Sequence, residues 1–143
     1  MKFLIAIDGS SNSHKAFLKA MNLYKETDTI VLLVVVDLVH YMMSTPNFDM
    51  TLISDIKLQM FENGDSLLKK YEDLARNEYL INNVEALRVE GTPKDIIVKV
   101  VEDKSIDILC LGRVGLLNND HITMGSTSNY CIRNCTCDIL VCR

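Results

Sequence analysis

Three glycines and three hydroxyl side chains follow one apolar run of this 143-residue chain. Gly112 and Gly115 come directly after Ile108–Leu111, and after nine further residues Gly125 precedes Ser126-Thr127-Ser128 and a short helical pattern. Because glycine has no Cβ, neighbouring backbone N–H groups can approach an anion closely. The first turn of a helix adds unpaired N–H groups and the positive end of its dipole. This arrangement predicts a phosphate cradle. The structural alternative is that the glycines only turn the chain and Ser126 only caps the helix.

Composition restricts the classes of function. Hydrophobic residues make up 48% of the chain and charged residues 24%, with a net charge of −4. Basic residues never run longer than two, so we expect no nucleic-acid binding, which needs clustered Lys and Arg. The longest apolar run, Ile30–Val36, is far shorter than the roughly 18 residues of a membrane span. The N-terminal apolar stretch is too short for a signal peptide, and five cysteines, an odd number, fit a reducing compartment. These features predict a cytoplasmic protein.

Five β-prone apolar segments alternate with helical patterns, without a linker or repeat. Apolar runs that do not alternate with polar residues are typical of strands buried on both faces, as in a parallel sheet. The order predicts one α/β domain over residues 1–143, a doubly wound five-stranded parallel sheet with helices on both faces. The predicted strands are Lys2–Ile7, Ile30–Val36, Val84–Val89, Ile106–Leu111 and Asp138–Cys142.

The longest connection lies between the second and third strands. Apolar spacing from Ile53 to Ala75 predicts one long helix, whereas His40–Asp49, which contains Pro46 and Asn47, is predicted as a loop. Further helical stripes begin after the polar segment Gly9–Ser13 and at Thr92-Pro93, a cap followed by proline at the first helical position.

Polar and glycine residues follow two of the predicted strands. Asp8-Gly9-Ser10 follows the first strand and Gly112–Gly115 follows the fourth. In such sheets ligands bind beyond the carboxyl ends of the strands, where the strand order reverses. If both segments serve one ligand, the first and fourth strands are neighbours and the order is 3-2-1-4-5.

On these residues the chain resembles the universal stress protein family. The phosphate-site spacing of the family's ATP-binding branch, Gly-x2-Gly-x9-Gly-Ser/Thr, is matched by Gly112, Gly115, Gly125 and Ser126. The first strand with its Asp-Gly-Ser ending, the second strand, the Gly91-Thr92-Pro93 segment and the last two strands resemble their family counterparts. The likeness extends over the chain apart from His40 to about Met50.

The resemblance implies an adenine-nucleotide site. Asp8 would contact the ribose, Ala6 and Val35 would line the adenine, and Leu111 with Gly112 would flank the ribose and α-phosphate. ATP, or retained AMP or ADP, would bind with Mg²⁺, which the phosphates themselves would largely hold. The insert between Gly115 and Gly125 carries Asp120 and His121. Arg113 is the candidate to offset the negative charge of Asp120. The remaining predicted phosphate-binding residues are Gly115, Gly125, Ser126, Thr127 and Ser128.

The function implied is that of a regulatory stress-response module with slow or no ATP hydrolysis. We identify no general base or arginine finger, which fast phosphoryl transfer needs, and predict no catalytic residue. The apolar strand Asp138–Cys142 would be a sheet edge, which favours pairing with another chain, and the resemblance also implies a homodimer through it.

Three alternatives stay open: a nucleotide-free dimeric scaffold, a true adenine-nucleotide hydrolase, and a phosphoacceptor role for Asp8 as in receiver domains. The hydrolase class carries Ser-Gly-Gly-x-Asp-Ser after the first strand, which Asp-Gly-Ser-Ser-Asn-Ser matches poorly. For the cysteines, a zinc site using Cys131 and Cys135 is the alternative to small apolar packing, which we favour. We predict no metal ligand.

Overall fold

The computed structural model describes residues 1–116 and 123–143. Five strands form one sheet in which every neighbouring pair is parallel. The strands are β1 (Lys2–Ala6), β2 (Thr29–Val36), β3 (Val84–Glu90), β4 (Ile108–Gly112) and β5 (Asp138–Cys142). Their order is β3-β2-β1-β4-β5, which confirms the predicted order. The order therefore reverses between β1 and β4, where Leu4 pairs with Leu109.

Helices connect the strands. The helix α1 begins after Ser10, whose hydroxyl accepts a hydrogen bond from the Ser13 N–H at 3.1 Å. The predicted long helix is confirmed, and it ends in a π-helical turn, Leu74–Glu78. A 3-10 turn, Met50–Leu52, precedes it. The helices are α1 (Ser11–Leu23), α2 (Leu38–Ser44), α3 (Ile53–Asp73), α4 (Pro93–Asp103) and α5 (Ser126–Asn134).

The two faces of the sheet carry separate cores, as the doubly wound fold requires. On one face Phe3 packs with Phe17 of α1 and Tyr71 of α3. On the other face Leu4 packs with Ile97 of α4 and Cys131 of α5. Successive strand residues point to opposite faces, so both faces of the central strands are apolar and buried. Among the described residues, none of the helices has the length and apolar character needed to cross a membrane.

The prediction of a loop over His40–Asp49 is wrong for its first part, which belongs to α2. The Asp37 carboxylate caps this helix by accepting a hydrogen bond from the His40 N–H at 3.0 Å. Leu38 is its one buried residue, while Val39 and Met43 are exposed. The helix therefore has no apolar stripe for a periodicity search to detect, and the cap at the end of β2 was the available signal.

Candidate functional site

A cavity of about 590 Å³ lies beyond the carboxyl ends of the strands, at the point where the strand order reverses. Its volume is in the range of small-molecule sites, roughly 300–1,000 Å³. The structure brings almost all of the predicted site residues together in its lining. These are Ala6, Asp8, Val35, Leu111, Gly112, Gly115, Gly125, Ser126, Thr127 and Ser128.

The three motif glycines allow close approach of neighbouring atoms rather than a left-handed turn, and the backbone is closest at Gly112. A Cβ on Gly112 would lie 2.8 Å from the backbone carbon of Asn12, and one on Gly125 would lie 3.1 Å from the Arg113 carbonyl oxygen. A Cβ on Gly115 would lie 2.6 Å from Asp8 Oδ2. None of the three has a left-handed φ, whereas Gly9 does, at +84°. The interpretation that the motif glycines only turn the chain is therefore wrong.

Asp8 is fixed at the edge of this cavity. One carboxylate oxygen, Oδ1, accepts a hydrogen bond from the Ser10 N–H at 2.9 Å, across the turn made possible by Gly9. The other oxygen, Oδ2, faces Gly115. Asp8 therefore has a local structural contact through one oxygen and presents the second to the glycine loop. The helix cap itself is Ser10, not Asp8.

The N-terminus of α5 lies at the same cavity, and no side chain caps its first turn. Its N-cap is Gly125, which has no side chain to accept a hydrogen bond, and Ser126 is the first helical residue. The interpretation of Ser126 as the cap is therefore wrong. Gly125 is held by its N–H donating to the Arg113 carbonyl at 2.8 Å. The Ser128 hydroxyl donates to the Gly112 carbonyl at 2.7 Å, so it positions α5 against β4.

Arg113 is the predicted residue that the structure leaves outside the lining. Its guanidinium donates to the Thr123 carbonyl at 2.7 Å, and its backbone N–H donates to the Cys142 carbonyl at 2.6 Å. Arg113 therefore connects the glycine loop to the far end of the insert and to β5. Asp120 and His121, the two ionisable residues of the insert, lie outside the described residues.

The described lining contains two carboxylates, Asp8 and Asp37, and one imidazole, His40, but neither Lys nor Arg. Asp37 and His40 were missed because they follow β2 in the segment predicted as a loop or next to it. The rule that ligands bind after strands could have found Asp37. Further lining residues outside the predicted set are Ser10, Ser13, Leu33, Pro93, Ile97, Val114, Leu116 and Met124.

A buried aromatic contact joins α1 and α3. The Tyr71 hydroxyl lies 3.0 Å from His14 Nδ1, and Phe17 meets the Tyr71 ring edge-on at 4.9 Å. Burial and the nearby Asp8 charge raise the pKa of the Tyr71 hydroxyl above its usual value. The phenol therefore stays protonated at neutral pH, and α1 and α3 are joined next to the cavity.

The cysteines have the environment of packing residues. Burial raises the pKa of the Cys110 and Cys131 thiols to about 12, so both are protonated at neutral pH. All five cysteines are free thiols. Within residues 1–116 and 123–143, no group of three or more His, Cys, Asp or Glu residues is arranged to hold a metal ion.

Comparison with known proteins decides the family. The model of the universal stress protein family matches residues 1–143. The chain belongs to the universal stress protein family. It is 32% identical over 141 residues to a universal stress protein of Methanocaldococcus jannaschii, covering 98% of this chain and 80% of that protein. It is 34% identical to a putative universal stress protein of Staphylococcus saprophyticus, covering 98% of this chain and 81% of the relative.

Solved structures of this family share the fold. A universal stress protein in complex with cAMP superposes with a TM-score of 0.72 at 19% identity, covering 100% of this chain and 97% of that one. A family member from Arabidopsis thaliana with AMP bound gives a TM-score of 0.70 at 19% identity, covering 99% of this chain and 90% of that one. At this identity the likeness shows the fold.

Proposed function

We propose that this chain binds an adenine nucleotide, ATP or retained AMP or ADP, in the cavity between β1 and β4, and acts as a regulatory module in the stress response. The observation that carries the proposal is the meeting of an uncapped helix N-terminus, the glycine loop and Asp8 at the reversal of the strand order. Ligand binding at this place is general for doubly wound sheets. We propose that any hydrolysis is slow, because the described lining contains no arginine that could serve as an arginine finger.

The two ends of the cavity suit the two ends of a nucleotide. Ala6, Val35 and Leu111 supply apolar surface for a base, and Asp8 supplies a carboxylate that can accept hydrogen bonds from ribose hydroxyls. The first turn of α5 supplies backbone N–H groups and a positive dipole end for a phosphate group. Two solved structures of the same fold contain cAMP and AMP, which supports adenine nucleotides as the ligand class.

A divalent cation fits this site through the nucleotide rather than through a protein cage. Asp8 is the carboxylate that lies against the glycine loop, since its Oδ2 faces Gly115. Mg²⁺ is usually bound by one or two carboxylates together with substrate phosphates and waters. The phosphates would largely hold Mg²⁺, which would neutralise phosphate charge beside Asp8.

The test is calorimetric titration with Mg-ATP, together with chromatography of nucleotide released from denatured protein. Thr127→Glu is the informative variant. Its carboxylate would lie in the first turn of α5, where the helix dipole favours an acid for folding but the added charge repels phosphate. We expect at least tenfold weaker binding at an unchanged melting temperature.

The matched control is Asn129→Glu, which adds the same charge to an exposed position of α5 outside the cavity lining. It should leave the nucleotide affinity within about twofold of that of the unmodified protein. Absence of binding at millimolar nucleotide, with the fold intact by circular dichroism, would refute the proposal and favour the nucleotide-free scaffold.

We also propose a cytoplasmic homodimer paired through β5. This strand lies at one edge of the sheet, and Ile139, Leu140 and Val141 remain half-buried in the single chain. Exposed apolar edge strands tend to pair with another chain. The five free thiols agree with a reducing compartment.

A further inference from the structure

The described lining of the cavity carries negative charge without a cationic side chain. Asp8 and Asp37 contribute carboxylates, and His40 is the one basic side chain. The chain has 15 Lys and Arg residues, yet none lines the cavity within the described part of the chain. The sequence of residues 117–122 also contains neither Lys nor Arg. Side-chain charge in this cavity therefore opposes a polyanion.

Among the described residues, attraction for phosphate comes from uncharged groups, namely the backbone N–H groups and hydroxyls at the first turn of α5 and the glycine loop beside it. The electrostatic effect of a helix end falls off within that turn. The cradle can therefore compensate one phosphate group, while further phosphate groups gain little from it. Asp8 places a negative charge beside the cradle, because its Oδ2 would be 2.6 Å from a Cβ on Gly115.

We infer that the site ranks adenine nucleotides by charge and prefers the monophosphate to the triphosphate when no divalent cation is present. The inference rests on the proposed function and specifies its ligand class. A nucleoside monophosphate carries about −2 at neutral pH, and a triphosphate carries roughly two further negative charges. Repulsion of two charges by two carboxylates at about 10 Å amounts to roughly a tenfold difference in affinity at low ionic strength.

Divalent cations change this ranking. Mg²⁺ bound to the phosphates of ATP removes two charges, so the complex carries about the same charge as AMP. Mg²⁺ should therefore largely abolish the preference. Salt should also reduce it, because the Debye length falls from about 30 Å at 0.01 M to about 8 Å at 0.15 M. The site would then respond to the ratio of AMP to metal-free ATP.

The experiment measures the dissociation constants of AMP and ATP by calorimetry, at low salt in EDTA and again with excess Mg²⁺. We expect AMP to bind about tenfold more tightly than ATP in EDTA, and the ratio to fall to about two or less with Mg²⁺. Equal affinities in EDTA, or tighter binding of ATP, would overturn the inference and leave the proposed function intact. Failure of both nucleotides to bind would overturn the proposed function and the inference with it.

Variants test the cause of the preference. Asp8→Asn removes one carboxylate charge at almost constant shape and should reduce the AMP-to-ATP preference about threefold, even if both affinities fall. Asp37→Asn is the second variant and should act in the same direction, since Asn still caps α2. Glu62→Gln removes the same charge from an exposed site outside the lining and should leave the ratio unchanged. An equal change in all three variants would show that net charge, and not these carboxylates, sets the ranking.

Discussion

The effect of Gly115→Ala on stability should depend on the residue at position 8. The change should destabilise the protein when Asp8 is present and stabilise it in an Asp8→Ala background. A Cβ on Gly115 would lie 2.6 Å from Asp8 Oδ2, and the other oxygen of Asp8 is held by the Ser10 N–H at 2.9 Å. Asp8 is exposed, so its carboxylate can rotate away from the added methyl group, but this weakens that hydrogen bond. Weakening one hydrogen bond costs about 0.5–1.5 kcal/mol. Alanine also restricts the unfolded chain, which offsets about 0.4–1 kcal/mol where φ is permissive, as it is here.

The net loss for Gly115→Ala is therefore up to about 1 kcal/mol, or up to about 4 °C in melting temperature for a chain of this length. In an Asp8→Ala background the close contact is gone, so the same change should raise the melting temperature by about 1–3 °C. The assay is thermal and urea unfolding of the four proteins of this cycle, with a coupling free energy of about 0.5–1.5 kcal/mol expected.

Gly64→Ala is the control for additivity, since its Cβ would meet Val36, Val34 and Arg88 rather than Asp8. Its effect on the free energy of unfolding should be the same in both backgrounds. A change of equal sign and size for Gly115→Ala in both backgrounds would refute the contact between the glycine loop and Asp8 on which the site depends.

Three further predictions concern other parts of the molecule. Because burial raises the pKa of Cys110 and Cys131 to about 12, the folded protein keeps protons that the unfolded chain releases above about pH 9. Its free energy of unfolding should therefore fall by up to about 1.4 kcal/mol per pH unit per thiol between about pH 9 and 12. Urea unfolding at a series of pH values measures this slope, and Cys110→Ala should make it less steep. Asp37→Ala should destabilise α2 by about 1 kcal/mol, whereas Asp37→Asn should not, as measured by hydrogen exchange of α2 amides. Val141→Lys should give a monomer in sedimentation velocity; Leu140→Asp should do so too but also lower the melting temperature, because Leu140 packs against the core on the α1 side. A dimer unchanged in Val141→Lys would place the interface elsewhere.

Apolar runs predicted the strands, because strands buried on both faces of a parallel sheet leave continuous apolar segments. Their order was predicted from the polar and glycine residues that follow the first and fourth strands, which the structure confirms as neighbours. The fourth strand was placed early, at Ile106, whereas β4 begins at Ile108. Ile106 is buried, but its N–H donates to the Val101 carbonyl at the end of α4, after Ser105 with a φ of +51°. An apolar residue can therefore belong to the core and still lie before its strand, which hydropathy alone does not reveal.

Residues of the cavity lining were predicted where they follow a strand or belong to the glycine motif. They were missed where they lie on a helix without an apolar stripe. Asp8 and the glycines could be found because strand ends and glycine spacing are visible in one dimension. His40 reaches the cavity through α2, a helix with one buried residue and so no periodic signal, whereas Asp37 directly follows β2 and was missed although it lies at a strand end. Arg113 was predicted in the site but lies outside the described lining, since its position beside Gly112 says nothing about the direction of its side chain, which donates to the Thr123 carbonyl.

The tight contact between Gly112 and Asn12 limits how this protein can diversify. A side chain at position 112 would push α1 off β4, because the nearest atoms are backbone. Variation in ligand preference must then come from other residues of the cavity lining. An engineer who wished to admit a bulkier ligand would do better to redesign lining residues such as Leu116 and Met124 than to change the glycine positions themselves.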